Sequence, residues 1–209
     1  MTATHPARLW FELAADGLVA TAGQITPQDL PRPGLGVWTV RDLLGHASRA
    51  FSTVVSYLAA PADPNAPWLA EPTDYFTAAL RSTAAAEPAQ IAERGRAAGR
   101  ALGDDPVRAL RALAADTRAL VAATPDHASV TTPFGTMTLT AYLPTRAFEL
   151  TVHGLDLARA VEVAPCTDLA LAARAALSLV AALATTDQAV SALLALTGRH
   201  GLPEGFSLL

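Results

Sequence analysis

Prolines and glycines cut this sequence into helix-length segments, and nearly every segment carries its apolar residues at a period of 3.6 rather than 2. A chain patterned this way lacks the alternating faces of a sheet domain, so its core must come from packed helices. The apolar content is 51% of residues with only 6% aromatic, mostly Ala, Leu and Val, and Ala and Leu are strong helix formers. One stretch departs from the pattern. In "SVTTPFGTMTL", residues 129–139, β-favouring Val and Thr flank Pro133 and Gly135, which predicts a small hairpin.

A first helix is predicted over 6–22, with Trp10, Leu13, Leu18 and Val19 as core contacts. "ITPQDLPRPGLGVW" follows as a loop because of its prolines and glycines. "TVRD" is a capping-box pattern that starts a second helix at Thr39, with Asp42 closing the box, and this helix runs to about Leu58. Further helices are expected at 73–86 and about 105–123, the latter opened by Pro106 at its first position. Between them, "EPAQIAERGRAAGRALG" reads as helical only in part, since it holds Gly95, Gly99 and Gly103. A long helix from about Thr138 to Val163 comes next, then one beginning at Thr167 or Asp168, then a short one capped by Thr186 or Asp187 and ended by Gly198. No repeat of solenoid period is present. The expected fold is an all-α four-helix bundle with additional short helices and one small β-hairpin, forming a single domain over 1–209.

Charge and hydropathy exclude several function classes. All 15 basic residues are Arg, the net charge is −4, and the densest basic run, "RGRAAGR" at 94–100, is short enough to be a solvated helix face, which argues against a nucleic-acid surface. "LALAARAALSLVAALA" at 169–184 contains Arg174 and is too short to span a bilayer, so it reads as a core helix. The first residues carry no signal-peptide h-region, and a cytoplasmic protein is expected. The single cysteine, Cys166, excludes an internal disulfide and a multi-cysteine zinc site and reads as a small structural residue at a helix start.

Within the long helix, "RAFELTVHGLD" at 146–156 places Glu149, His153 and Asp156 on one narrow stripe between apolar neighbours. Such a stripe is a solvated face, a buried ion pair or part of a metal site, and taken alone it reads best as an exposed face. Two side chains at i, i+4 can share one metal ion, but a stable site wants a ligand from elsewhere. His5, His127 and His200 lie in terminal segments or a turn. His46 differs, because it sits mid-helix at the edge of the apolar face built by Leu43, Ala47, Ala50 and Val54.

"GVWTVRDLLGHASRA" resembles the "W-T-V-x-D-L-x-x-H" signature of the N-terminal domain of mycothiol-dependent maleylpyruvate isomerases, in the DinB-like superfamily. "RAFELTVHGLDLARA" is similar to the same family's "R-x-x-E-x-x-x-H-x-x-D-L-A" motif, and the closing "LTGRHGLPEGF" looks like its tail, so the resemblance spans essentially the whole chain. It implies a DinB-like four-helix bundle whose metal ligands are His46, Glu149 and His153. Two His and one carboxylate suit zinc, and three protein ligands leave a position open for water or a thiol. Asp156 is a supporting candidate that orients His153, while Asp42 is a helix cap.

The resemblance further implies a divalent metal, Zn2+ by preference, with mycothiol as cosubstrate, and an S-transferase or detoxification enzyme acting on an electrophile. The expected partners are a small-molecule thiol and an electrophile, with neither nucleic acid nor membrane, and a homodimer is compatible with this. Full maleylpyruvate isomerases carry a C-terminal domain resembling sterol-carrier proteins, which is not expected within these 209 residues, so isomerase activity does not follow. Two other readings share the site: a zinc-water hydrolase of amide or ester bonds, and a metal-retaining binding module without catalysis.

Overall fold

Capping chemistry and proline placement set the helix boundaries in the computed structural model, which describes residues 4–61, 63–83 and 88–208. Helix α1 (Pro6–Ala22) opens on a proline, with the His5 side chain accepting from the Ala7 amide. The capping box of Thr39 and Asp42 is present in full at the head of α2 (Val40–Ala59). Helices α3 (Pro72–Thr83), α4 (Pro88–Ala101) and α5 (Pro106–Ala123) each begin at a proline. Thr138 caps α6 (Leu139–Ala160), and α7 (Thr167–Leu183) and α8 (Thr186–Leu196) complete the chain, α8 capped by Thr185, one residue before the expected position. The expected end of the third helix, 84–86, lies outside the described residues.

Helices α1, α6, α2 and α5 pack in that order as a closed ring of four. Phe11, Leu18, Leu43, Phe51, Leu143 and Leu150 fill its centre and are fully buried, with Phe11 edge-on to Phe51 at 6.2 Å between ring centroids. The Tyr142 hydroxyl donates to Thr53 Oγ1 at 3.0 Å and ties α6 to α2 inside this core. The fold is therefore mostly α, as the patterning requires. Outside the ring, α4 lies on α2, and α7 lies on α1 and α6.

Strands β3 (Ser129–Thr132) and β4 (Gly135–Thr138) form the expected antiparallel hairpin. A second ladder was not expected: β1 (Pro33–Leu35) pairs with β2 (Trp38–Thr39) inside the proline-rich loop. Gly36 at φ +56 makes the tight turn between them, and so short an edge pairing tolerates proline.

Two other expectations need correction. The interval read as partly helical is one continuous helix, α4, as far as Ala101, and Gly103, at φ +71, follows its end. Gly95 and Gly99 within it are packing devices rather than breakers: a Cβ on Gly45 would lie 2.1 Å from the Gly99 nitrogen. The two backbones meet because both positions lack a side chain. Helix α7 is only half a core helix, since Leu169, Ala172, Ala176 and Leu179 are buried while Leu171 and Leu177 are exposed. Its sequence is apolar on both faces, so hydropathy alone could not tell which face packs. No described helix is long and apolar enough to cross a membrane.

Candidate metal centre

Packing of α2 against α6 turns separate sequence motifs into one site. His46 projects from α2, Glu149 and His153 project from α6, and one donor atom from each lies within 4.8 Å of the others. The His46 and His153 rings meet edge to face with centroids 4.7 Å apart. His153 Nε2 and Glu149 Oε2 are 3.2 Å apart, close to the roughly 3.3 Å edge of a tetrahedron with metal–ligand bonds of 2.0–2.1 Å. The stripe on α6 is thus not a solvated face: the His153 side chain is 12% exposed and that of Asp156 20%.

Both histidines have a supporting structure. His153 Nδ1 and Asp156 Oδ2 are 3.3 Å apart, so an N–H at Nδ1 donates to the carboxylate and Nε2 is directed toward Glu149 and His46. Asp156 is itself approached by Arg159 at 3.7 Å. The i, i+3 reach is therefore made. On the other wall, the Trp38 ring lies over His46 at 4.5 Å between centroids and is fixed by Nε1 donating to the Ala92 carbonyl of α4 at 2.9 Å. The ladder that carries Trp38 and the glycine contact that seats α4 thus both serve to hold His46.

Electrostatics divide the three donors. Burial, reinforced by the positive charge of His153, pushes His46 down to about 4, so its ring is neutral. Burial also opposes a charge on His153, but hydrogen bonds to Asp156 and Glu149 outweigh it and hold this ring at about 9. Glu149 would be raised by burial, yet the His153 hydrogen bond and the Arg146 charge bring it down to about 2. Among the described residues, His46 Nδ1 is buried with no hydrogen-bond partner. An unpartnered neutral imidazole, an ionised carboxylate and a carboxylate-oriented imidazole form a donor set that fits a borderline-soft divalent cation.

A cavity of ≈ 470 Å³ opens on this cluster, with His46 and Glu149 in its wall. Tyr57, Tyr75 and Phe134 make an aromatic side, the last brought there by the β3–β4 hairpin. Arg49, Arg94 and Arg146 also reach it. Sequence reasoning missed these arginines and Trp38. Arg94 lies in the run read as a solvated face, and Arg146 begins the second motif; an arginine in the apolar middle of α6 was the available signal.

Residues 11–158 match the family described as the mycothiol maleylpyruvate isomerase N-terminal domain. The match contains all three donors and ends before α7, so the closing segment that resembled the family's tail lies outside it. No curated protein and no solved structure matches the chain.

Proposed function

Because the chain belongs to the mycothiol maleylpyruvate isomerase N-terminal domain family, we propose that it is a metal-dependent thiol-transfer enzyme in which His46, Glu149 and His153 hold one divalent cation, zinc by its donor set. The observation that carries this reading is the convergence of those three donors, from two helices, beside a cavity that has His46 and Glu149 in its wall and is large enough for a small thiol and an electrophile. Zinc held there would stabilise a bound thiol, mycothiol by family, as its thiolate, the nucleophilic form.

The chain's own residues supply the rest. Asp156 fixes the ring orientation of His153, Glu149 contributes the one anionic donor, and burial keeps His46 neutral and able to donate. Tyr57, Tyr75 and Phe134 offer an apolar wall against which an electrophile can lie. The thiol proton passes to solvent, a sulfur–carbon bond forms, and the leaving group departs with its bonding electrons.

The test is conjugation of mycothiol to 1-chloro-2,4-dinitrobenzene by the purified chain, before and after metal removal. The expected outcome is a thiol-dependent rate that disappears with the metal and returns with zinc. Metal-dependent hydrolysis of a p-nitrophenyl ester without any thiol, and no conjugation, would instead favour a zinc-water hydrolase.

A further inference from the structure

Helix α8 is specified by the sequence at both ends, yet its apolar side meets nothing in its own chain. The Thr185 and Gln188 side chains close a capping box at its head, and a Schellman turn ends it, with Gly198 at φ +75 and the Arg199 amide donating to the Leu194 carbonyl at 2.8 Å. None of its 11 residues is buried, and no helix or strand among the described residues packs along it. A helix this short is marginal in water by itself, because helices in proteins take most of their stability from a covered apolar face.

The exposure is also inverted. Val190, Leu193 and Leu196 share the outward stripe and are 53%, 63% and 80% exposed, while Gln188 and Ser191 lie on the more covered side. Only Ala184 and Thr185 separate α8 from α7, whose outward Leu171 and Leu177 are exposed as well. With Leu202, these side chains expose roughly 600 Å² per chain, so two such faces set together cover about 1,200 Å², the lower end for a specific interface.

Charge selects the occupant. Between 169 and 198 the only charged side chains are Arg174 and Asp187, opposite in sign, both exposed and both without an ion pair among the described residues. So charge-poor a surface suits neither nucleic acid nor an anionic membrane, which call for clustered cations. It does suit itself. In a two-fold pair each Arg174 faces the Asp187 of the other copy, which satisfies the one pair of charges twice, and antiparallel α8 helices set opposite dipole ends side by side.

We propose that α8 and the outward side of α7 dock on the same surface of a second copy, giving a two-fold dimer seamed by Val190, Leu193 and Leu196. The surface lies beyond residue 158, where the family match ends, and it is independent of the thiol-transfer reading.

The test is sedimentation velocity of the full chain from about 1 to 100 µM, for wild type, Leu193→Asp, Arg174→Asp and the exchange of Arg174→Asp with Asp187→Arg. Wild type is expected to sediment at twice 21.6 kDa in the upper part of that range. Leu193→Asp should raise the dissociation constant about a hundredfold with cooperative thermal unfolding retained, and Arg174→Asp about tenfold, with the exchange restoring the wild-type value. The charge variants alter exposed positions alone, so they decide the matter if Leu193→Asp does not fold. A wild-type chain of 21.6 kDa throughout, or a dimer that none of the variants weakens, overturns the proposal. A monomeric chain that floats with phosphatidylcholine vesicles, and no longer does so as Leu193→Asp, gives the face to a lipid surface and overturns it too. A dimer weakened by Leu193→Asp but not restored by the exchange overturns the pairing of Arg174 with Asp187.

Discussion

At the scale of single residues, the proposed metal site sets protons and the cation in competition for His153. Hydrogen bonds to Asp156 and Glu149 hold its proton up to about pH 9, whereas burial keeps His46 free of one down to about pH 4. The sign follows directly: a cation must displace the His153 proton, so below pH 9 each unit of acidification costs about tenfold in metal affinity, and His46 adds to that slope only below pH 4. Zinc titrations at pH 7 in buffers of differing ionisation enthalpy should therefore count about one proton released per ion. Asp156→Asn weakens the hold on that proton, and the pH at which affinity levels off should fall toward the ordinary imidazole value of about 6.5. Release of no proton at pH 7 would contradict this assignment. The i, i+4 spacing of Glu149 and His153 was visible in the sequence; that the stripe faces a neighbouring helix was not, because both faces of α6 border apolar residues.

At the scale of elements, the segments with caps and prolines were readable and those governed by tertiary contact were not. Thr39 with Asp42 and Thr138 mark helix starts through local hydrogen bonding, Pro106 through its fixed φ and missing N–H, and the structure places them there. The glycines of α4 misled, since their helix-breaking tendency is overridden by close approaches, of Gly99 to the α2 backbone at Gly45 and of Gly95 to the Trp38 ring. The first contact gives a sharp prediction: the added methyl of Gly45→Ala would sit 2.1 Å from the Gly99 nitrogen, so α4 must move away from α2. Overpacking of this kind costs on the order of 1–3 kcal/mol, or a fall in melting temperature of several degrees. Because α4 anchors Trp38 over His46, metal affinity should fall with stability. A variant whose thermal unfolding matches wild type would show that the two helices do not bear on each other as described.

At the scale of the whole molecule, a four-helix ring brings His46, Glu149 and His153 together in one seam, where α2 and α6 meet. The paired motifs made His46 legible as the partner of Glu149 and His153 through family resemblance, since periodicity alone left it a boundary histidine. The positive cavity was not legible, because Arg49, Arg94 and Arg146 come together only after α2, α4 and α6 have packed. The central claim is that this seam holds one cation through those three donors, and the most direct measurement is the zinc-to-protein ratio after dialysis, taken on wild type and Glu149→Ala. The expected result is one zinc per wild-type chain and a ratio near zero for the variant at the same free zinc. A wild-type chain that retains no zinc, or a Glu149→Ala chain that retains as much as wild type, would contradict it.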